Sequence, residues 1–348
     1  MAFSPAEHAA MTRALELAQT PGVPLGPNPR VGCVLLAADG TAAAEGLHRG
    51  AGSAHAEVDA LQRAGNGARG ATAVVTLEPC NHTARTGPCV EALIEAGVTR
   101  VVYAQADTNP VASGGATTLA AAGVAVEGGL LAAEARLVNE TWTFALDHGR
   151  PFVTWKHATT LDGRSAAADG TSRWISSKPA RRDTHGLRAL CDTILVGTGT
   201  VLADDPQLTV RDDDDLPLPQ EHQLLRAVMG VRDLPADRRV FDDAADTVVL
   251  TTRDPREALA ELFARGRHHV LLEGGPTLAA TFLTGRLVDE IVGYVAPMLL
   301  GSGRSAVGDL GIESIADALH YDVSDVTVLG DGPETNVRLT MRPREVVS

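Results

Sequence analysis

His55-Ala56-Glu57, followed downstream by Pro79-Cys80-Asn81-His82-Thr83-Ala84-Arg85-Thr86-Gly87-Pro88-Cys89, is the stretch from which the fold of this chain is read. His55 and Glu57 fall just before and within the first turn of a helix expected over 56–64. Cys80 follows a strand expected over 73–77, and Cys89 opens the next helix directly after Pro88, a residue favoured at a first helical position. Strand ends and helix starts meet along one edge of an α/β sheet, where such folds gather their sites. One His, two Cys and a nearby carboxylate can hold zinc with one coordination position left for water. Glu57 is best kept out of the coordinating set, as the group that moves a proton from the water to a leaving amine. Hydrolytic deamination of a nucleobase-like ring is the chemistry such a set supports. A closed structural site with His82 as fourth ligand is the alternative, in which Glu57 is an ordinary helix-start acid.

Outward from that stretch, helical and strand patterns alternate. A helix is expected over 5–19, and strands over 31–36 and 41–47 about an Asp39-Gly40 turn. A helix over 90–96, a strand over 100–104, a helix–strand pair over 116–126 and a helix over 131–146 follow. Asp147-His148-Gly149-Arg150-Pro151 breaks the pattern, and a new strand starts at Phe152. Further strands are expected over 192–197, 225–229, 247–251, 268–273 and 289–296. Alternation of this kind places helices on both faces of mixed sheets. With 348 residues, two domains are expected, divided as 1–147 and 151–345. Asp212-Asp213-Asp214-Asp215-Leu216-Pro217-Leu218-Pro219 reads as a solvated loop. No internal repeat is seen.

Net charge of −14 disfavours a nucleic-acid partner, since such a protein gains affinity from clustered Lys and Arg. A small phosphorylated ligand needs only one or two local cations. No apolar run has membrane-spanning length and no export signal opens the chain, so a cytoplasmic protein without a membrane partner is expected. Cys33 and Cys191 read as small core residues. In the second half, Val196-Gly197-Thr198-Gly199-Thr200-Val201-Leu202 starts like a dinucleotide fingerprint but has Leu202 in place of its third glycine. Glu273-Gly274-Gly275-Pro276-Thr277-Leu278 lies between a strand and a helix. It is either a phosphate-binding turn or a plain glycine-rich one.

Longer stretches carry a resemblance. They are Pro27-Asn28-Pro29-Arg30-Val31-Gly32-Cys33, Gly46-Leu47-His48, His55-Ala56-Glu57 and Thr76-Leu77-Glu78-Pro79-Cys80-Asn81-His82 running on to Cys89. In the second half they are Lys156, Leu161-Asp162-Gly163-Arg164, Ser172-Arg173-Trp174-Ile175-Ser176, Arg181-Arg182-Asp183, Arg188, the segment Thr200–Arg211 and Glu273–Leu278. The chain resembles the bifunctional deaminase–reductase family of riboflavin biosynthesis over nearly its whole length. The resemblance implies a cytidine-deaminase-like three-layer α/β/α domain followed by a dihydrofolate-reductase-like α/β domain. It implies one Zn²⁺ on His55, Cys80 and Cys89, and NADPH as the second cofactor. The substrate it implies is a phosphorylated pyrimidine, 2,5-diamino-6-ribosylamino-4(3H)-pyrimidinone 5′-phosphate, deaminated and then reduced from ribosyl to ribityl. A homo-oligomer is also expected.

By the same resemblance, Asn28, His48, His82 and Arg85 meet the first substrate, Arg85 its phosphate. Ala158, Trp174, Thr200, Asp204, Gly275, Pro276 and Thr277 take the cofactor. Ser172, Arg188, Leu208, Arg211 and Glu273 take the second substrate. Arginine suits bidentate phosphate binding. The chain departs from the family at Gly230-Val231, where Asp-Ser is usual near the cofactor, and at Ala158, where glycine is common. Lys156 and Glu273 are both candidates for the proton donor of the reduction. Two other readings stay open: a second half that is a non-catalytic binding or oligomerisation module, and nucleic-acid editing.

Overall fold

The Ser4 hydroxyl accepts a hydrogen bond from the Glu7 amide and the Glu7 carboxylate accepts one from the Ser4 amide, with Pro5 in the first turn. This reciprocal cap starts α1 (Pro5–Ala18). Glu7 also holds Arg100 at 2.6 Å, and Arg100 holds Glu127 at 2.8 Å, which ties the start of α1 to the sheet beneath it. We describe residues 3–23, 26–82 and 87–344 from a computed structural model of the protein. The chain divides into two compact units, Met1–Gly149 and Arg150–Ser348.

In the first unit, β1 (Gly32–Leu36) and β2 (Ala42–Leu47) form a hairpin through Gly40, whose φ of +84° suits glycine. α2 (Ala56–Ala64), β3 (Thr72–Leu77), α3 (Cys89–Glu95), β4 (Arg100–Gln105), α4 (Gly115–Ala121), β5 (Ala125–Gly128), α5 (Ala132–Val138) and α6 (Glu140–His148) follow. The sheet order is β2-β1-β3-β4-β5. β1 runs antiparallel to both its neighbours, and β3, β4 and β5 are parallel. Alternate residues sort onto two faces. Cys33, Leu35, Val75 and Val101 pack against α2, α3, α4 and Trp142; Val34, Leu36, Val74 and Val102 pack against α1 and Ala135. These are the three layers of an α/β/α unit.

The helix expected over 131–146 is two helices. Asn139, at φ −113° and ψ 26°, interrupts it. Its side-chain oxygen accepts from the Arg30 amide at 2.8 Å and its nitrogen donates to the Arg30 carbonyl at 2.9 Å. That buried two-way clamp satisfies the backbone beside Asn28, and it takes precedence over helix continuity.

The second unit contains β6 (Phe152–Thr160), β7 (Arg164–Ala166), α7 (Lys178–Ala189), β8 (Thr193–Gly197), α8 (Thr198–Asp204), β9 (Leu225–Met229) and β10 (Thr247–Leu250). It continues with α9 (Pro255–Ala264), β11 (His269–Leu272), α10 (Pro276–Thr284), β12 (Glu290–Ala296), β13 (Arg304–Ser305), β14 (Tyr321–Leu329) and β15 (Asn336–Pro343). Its main sheet has the order β10-β9-β8-β11-β6-β12-β15-β14. The run from β10 to β12 is parallel, and β15 and β14 close the edge antiparallel. One face packs Trp155, Leu195, Met229 and Leu272 against α9 and α10 through Leu259, Leu262 and Phe282. The other packs Ile194, Val196 and Val228 against Val201, and Val292 and Tyr294 against Ala180 of α7. Asp212–Asp215 lie in an exposed turn. The carboxyl ends of β9, β8, β11 and β6 all lie at one edge of this sheet, where open α/β sheets bind ligands.

Candidate active sites

α2 begins with His55 at its N-cap position, and Glu57 and Asp59 lie in its first turn. The helix start is pressed onto β2. A side chain at Gly46 would meet the Ala56 carbonyl at 2.2 Å, and Asp59 accepts from the Leu47 amide at 3.1 Å. On the other side, the loop carrying Cys80 is pressed onto α4, where a side chain at Gly115 would meet the Pro79 carbonyl at 1.8 Å. Glu78 caps that contact by accepting from the Ala116 amide at 3.0 Å. Two backbone contacts thus bring three donors together.

His55 Nδ1 lies 3.2 Å from Cys89 Sγ and 3.4 Å from Cys80 Sγ, and the three donor atoms lie within 4.8 Å of one another. Donors about 2.0–2.3 Å from a tetrahedral zinc stand roughly 3.3–3.8 Å apart, so the set fits that ion. Among the described residues, His55, Cys80 and Cys89 form the group that could hold a metal, and His82 is not part of it. The site therefore keeps an open position. Hydrogen bonding from Cys89, then from His55, draws the Cys80 thiol down, and sharing with Cys80 pushes Cys89 up. Burial pushes the Glu57 carboxyl up to about 7, aided by the charge of Cys80; the side chain is 3% exposed.

His48 lies edge-on to His55, with centroids 5.2 Å apart. Its Nδ1 meets the Ala54 carbonyl at 3.0 Å, which requires a proton there, so Nε2 accepts from Asn28 Nδ2 at 3.0 Å. Burial holds this ring below its ordinary value. Asn28 and His48 are thus one hydrogen-bonded pair beside the metal donors. His82 is half-buried, and its Nδ1 has no protein partner. Asp107, unmarked in the sequence reading, is pushed up to about 6 by burial and by the charge of Glu78. Arg85 lies outside the described residues.

In the second unit, Glu273 follows β11 and receives Arg188 Nε at 2.7 Å and Nη2 at 3.1 Å, with Lys156 Nζ at 3.8 Å. Burial alone would raise the Glu273 carboxyl; Arg188 and Lys156 outweigh it and hold it at about 2. Burial lowers the Lys156 amine, which stands 5.6 Å over the Tyr294 ring. Tyr294 donates to Asp183 at 2.6 Å. No motif marked Tyr294, because its role depends on pairing with β6, opposite Ala158. Arg188 also donates to the Thr209 carbonyl at 2.8 Å, which joins this cluster to the segment holding Leu208 and Arg211. Leu208 is left-handed at φ +58°. That conformation costs about 1–2 kcal/mol and is held by burial of its side chain among Ile194, Val196 and Val228.

Of the residues expected at the cofactor, Thr200 and Asp204 follow the carboxyl end of β8, and Gly275, Pro276 and Thr277 follow that of β11. Gly275 is the N-cap of α10, with no side-chain hydrogen bond at the cap. A Cβ there would meet nothing within 4 Å, whereas Gly274 is packed on Leu278. A helix start that opens onto free space in this way fits a phosphate of a dinucleotide. Thr200 and Asp204 lie in α8, and the Asp204 carbonyl accepts from Arg173 at 3.3 Å. Trp174 is 63% exposed, with the Arg181 guanidinium 4.3 Å from its ring centroid. Ser172 accepts from the Ile175 amide in the same turn. At the departure from the family pattern, Gly230 has φ +142° and a Cβ would meet Thr198 Oγ1 at 2.7 Å. Arg232 occupies that corner, donating to Thr198 Oγ1 at 3.2 Å.

The architecture and the two clusters define a class: a zinc-deaminase-type unit followed by a nucleotide-dependent α/β unit. Residues 5–105 match the cytidine and deoxycytidylate deaminase zinc-binding region, and residues 151–334 match the RibD C-terminal domain. The chain belongs to the RibD family of riboflavin biosynthesis proteins. It is 51% identical to RibD of Mycobacterium tuberculosis H37Rv over 87% of this chain and 89% of that one. It is 41% identical to RibD of Escherichia coli K12 over 92% and 96%. Among solved structures it is similar to Acinetobacter baumannii RibD, with a TM-score of 0.89, 36% identity and 97% and 99% coverage. It is also similar to the Thermotoga maritima diaminohydroxyphosphoribosylaminopyrimidine deaminase/5-amino-6-(5-phosphoribosylamino)uracil reductase, with a TM-score of 0.82, 31% identity and 97% and 99% coverage. The match over 151–334 goes against a merely structural second half. Among the described residues, no helix is long and apolar enough to cross a membrane.

Proposed function

We propose that the chain carries out two consecutive steps of riboflavin biosynthesis on a phosphorylated pyrimidine, with residues 1–147 as deaminase and 151–345 as reductase. The first step replaces the ring 2-amino group of 2,5-diamino-6-ribosylamino-4(3H)-pyrimidinone 5′-phosphate with a carbonyl oxygen, consuming water and releasing ammonia. The second takes a hydride equivalent from NADPH and a proton to turn ribosyl into ribityl. The observation that carries the reading is the convergence of His55, Cys80 and Cys89 beside buried Glu57.

His55, Cys80 and Cys89 would hold the zinc, which would supply Lewis acidity and lower the pKa of water towards about 7. Glu57 accepts a proton at its carboxylate and delivers it to the departing amine nitrogen. Asn28 and His48, locked by their mutual hydrogen bond, orient the ring, and His82 and Arg85 meet the rest of the substrate. In the second unit, NADPH supplies the hydride. Ala158, Trp174, Thr200, Asp204 and Gly275–Thr277 hold the cofactor, while Ser172, Arg188, Leu208, Arg211 and Glu273 hold the substrate. Lys156 is the donor favoured here, because burial loosens its proton while Glu273 stays ionised.

Incubation with the diaminopyrimidinone phosphate, with and without NADPH, and mass analysis of the products tests both steps. Ammonia release without NADPH and a further gain of two hydrogens with it are expected; no NADPH oxidation at high enzyme concentration refutes the second step. The reading includes a cytoplasmic homo-oligomer without a nucleic-acid partner. The net charge of −14 supports the last point, and light scattering checks the oligomer.

A further inference from the structure

Arg226 of β9 is 0% exposed. Its Nη1 donates to Asp242 Oδ1 at 2.7 Å and to the Gln207 carbonyl at 3.2 Å, and its Nη2 donates to the carbonyls of Asp242 and Ala245. Burying an arginine is a poor source of net stability, because its desolvation offsets the attraction to its partner, here an Asp242 side chain that stays partly exposed. What this one supplies is geometry. The second Asp242 oxygen accepts from Gln207 Nε2 at 2.7 Å, so the amide of Gln207 can face in only one sense. Its Oε1 therefore points at Arg211, accepting from Nη2 at 2.8 Å, and also accepts from Arg239 at 3.3 Å. On its other side, Arg211 Nη1 donates to the Asp215 carbonyl at 2.7 Å. Two of the five guanidinium N–H donors are committed to these bonds, and the plane of the rest is fixed. Through the Gln207 carbonyl, Arg226 also braces the turn at left-handed Leu208.

We infer that Gln207 and Asp242 are positioning residues, which aim the Arg211 guanidinium at the phosphate of the reductase substrate through a hydrogen-bonded chain anchored on buried Arg226. The inference rests on the reading of Arg211 as a substrate contact. A guanidinium held in one plane loses less freedom on gripping a phosphate bidentately than a free one does.

The test uses the full-length protein with Gln207→Ala, Asp242→Asn, Arg211→Ala and the double variant Gln207→Ala/Arg211→Ala. KM and kcat for NADPH oxidation are measured with the deaminated substrate, together with competitive inhibition by inorganic phosphate. Ammonia release by the first unit and thermal melting serve as folding controls. Arg211→Ala is expected to raise KM at least about tenfold. Gln207→Ala and Asp242→Asn are expected to raise KM and weaken phosphate inhibition by about three- to tenfold, with kcat within about twofold. In the Arg211→Ala background, Gln207→Ala adds nothing further. If Arg211→Ala changes neither KM nor phosphate inhibition, the reading of Arg211 fails. If Arg211→Ala does but Gln207→Ala does not, or if the two effects add in full, the positioning chain is overturned.

Discussion

Glu57 and Glu273 show how burial gives two carboxylates opposite properties. Glu57 is buried beside thiols and pushed up to about 7; Glu273 is buried beside two cations and held at about 2. Glu57→Gln is expected to lower ammonia release by about 10²–10⁴-fold while zinc content, read by atomic absorption, stays at one per chain. Loss of the metal would make Glu57 structural instead. Glu273 has a folded pKa below its ordinary 4.5, so it contributes stability that is complete above about 4.5 and is lost as pH falls towards about 2. Glu273→Gln strands Arg188 and Lys156 and is expected to cost about 3–5 kcal/mol at pH 7. The gap between variant and parent in urea midpoint should then narrow at pH 3; an unchanged gap would contradict the depressed pKa. The metal donors were legible in the sequence because their chemistry is unusual and their spacing short. Gln207 was not, although it lies within a quoted motif. Nothing in Asp-Pro-Gln-Leu reveals that an aspartate from a distant turn fixes the sense of its amide.

Elements place the donors through glycine contacts. A Cβ at Gly115 would stand 1.8 Å from the Pro79 carbonyl, so Gly115→Ala must displace the Cys80 loop. Zinc occupancy and ammonia release are expected to fall together, with NADPH oxidation unaffected; full occupancy would show that the loop has room. Gly230→Ala combines a disfavoured φ with a 2.7 Å approach to Thr198 Oγ1 and is expected to cost at least about 1–2 kcal/mol, read by thermal melting. Strands that are continuous apolar runs buried on both faces, such as β1 and β8, were visible in the sequence, but the β14–β15 pair was not. A register shift between Val323 and Asp325 puts an extra residue into β14, so Val323 and Val326 share a face at an odd spacing. That shift hides the period of two on which strand reading depends. Asn139 is the parallel case on the helical side: its apolar neighbours continue a helical pattern, and a clamp to Arg30 ends it.

At the scale of the molecule, the two units, Met1–Gly149 and Arg150–Ser348, have separate sheets and separate cores. A zinc chelator is accordingly expected to abolish ammonia release and to leave NADPH oxidation of the deaminated substrate within about twofold of its starting rate. A parallel loss of both activities would mean that the metal also supports the second unit. Salt should separate two things that are otherwise hard to tell apart. The chain and its substrate are both anionic, so their encounter is slowed at low ionic strength and eased as counter-ions screen the repulsion. Exposed pairs such as Arg13–Glu45 fade under the same screening. Arg226, itself sealed from solvent and held by a ring of backbone carbonyls as well as by partly exposed Asp242, responds far less: ionic strength alters how often an anionic substrate arrives more than the geometry this buried arginine holds in place.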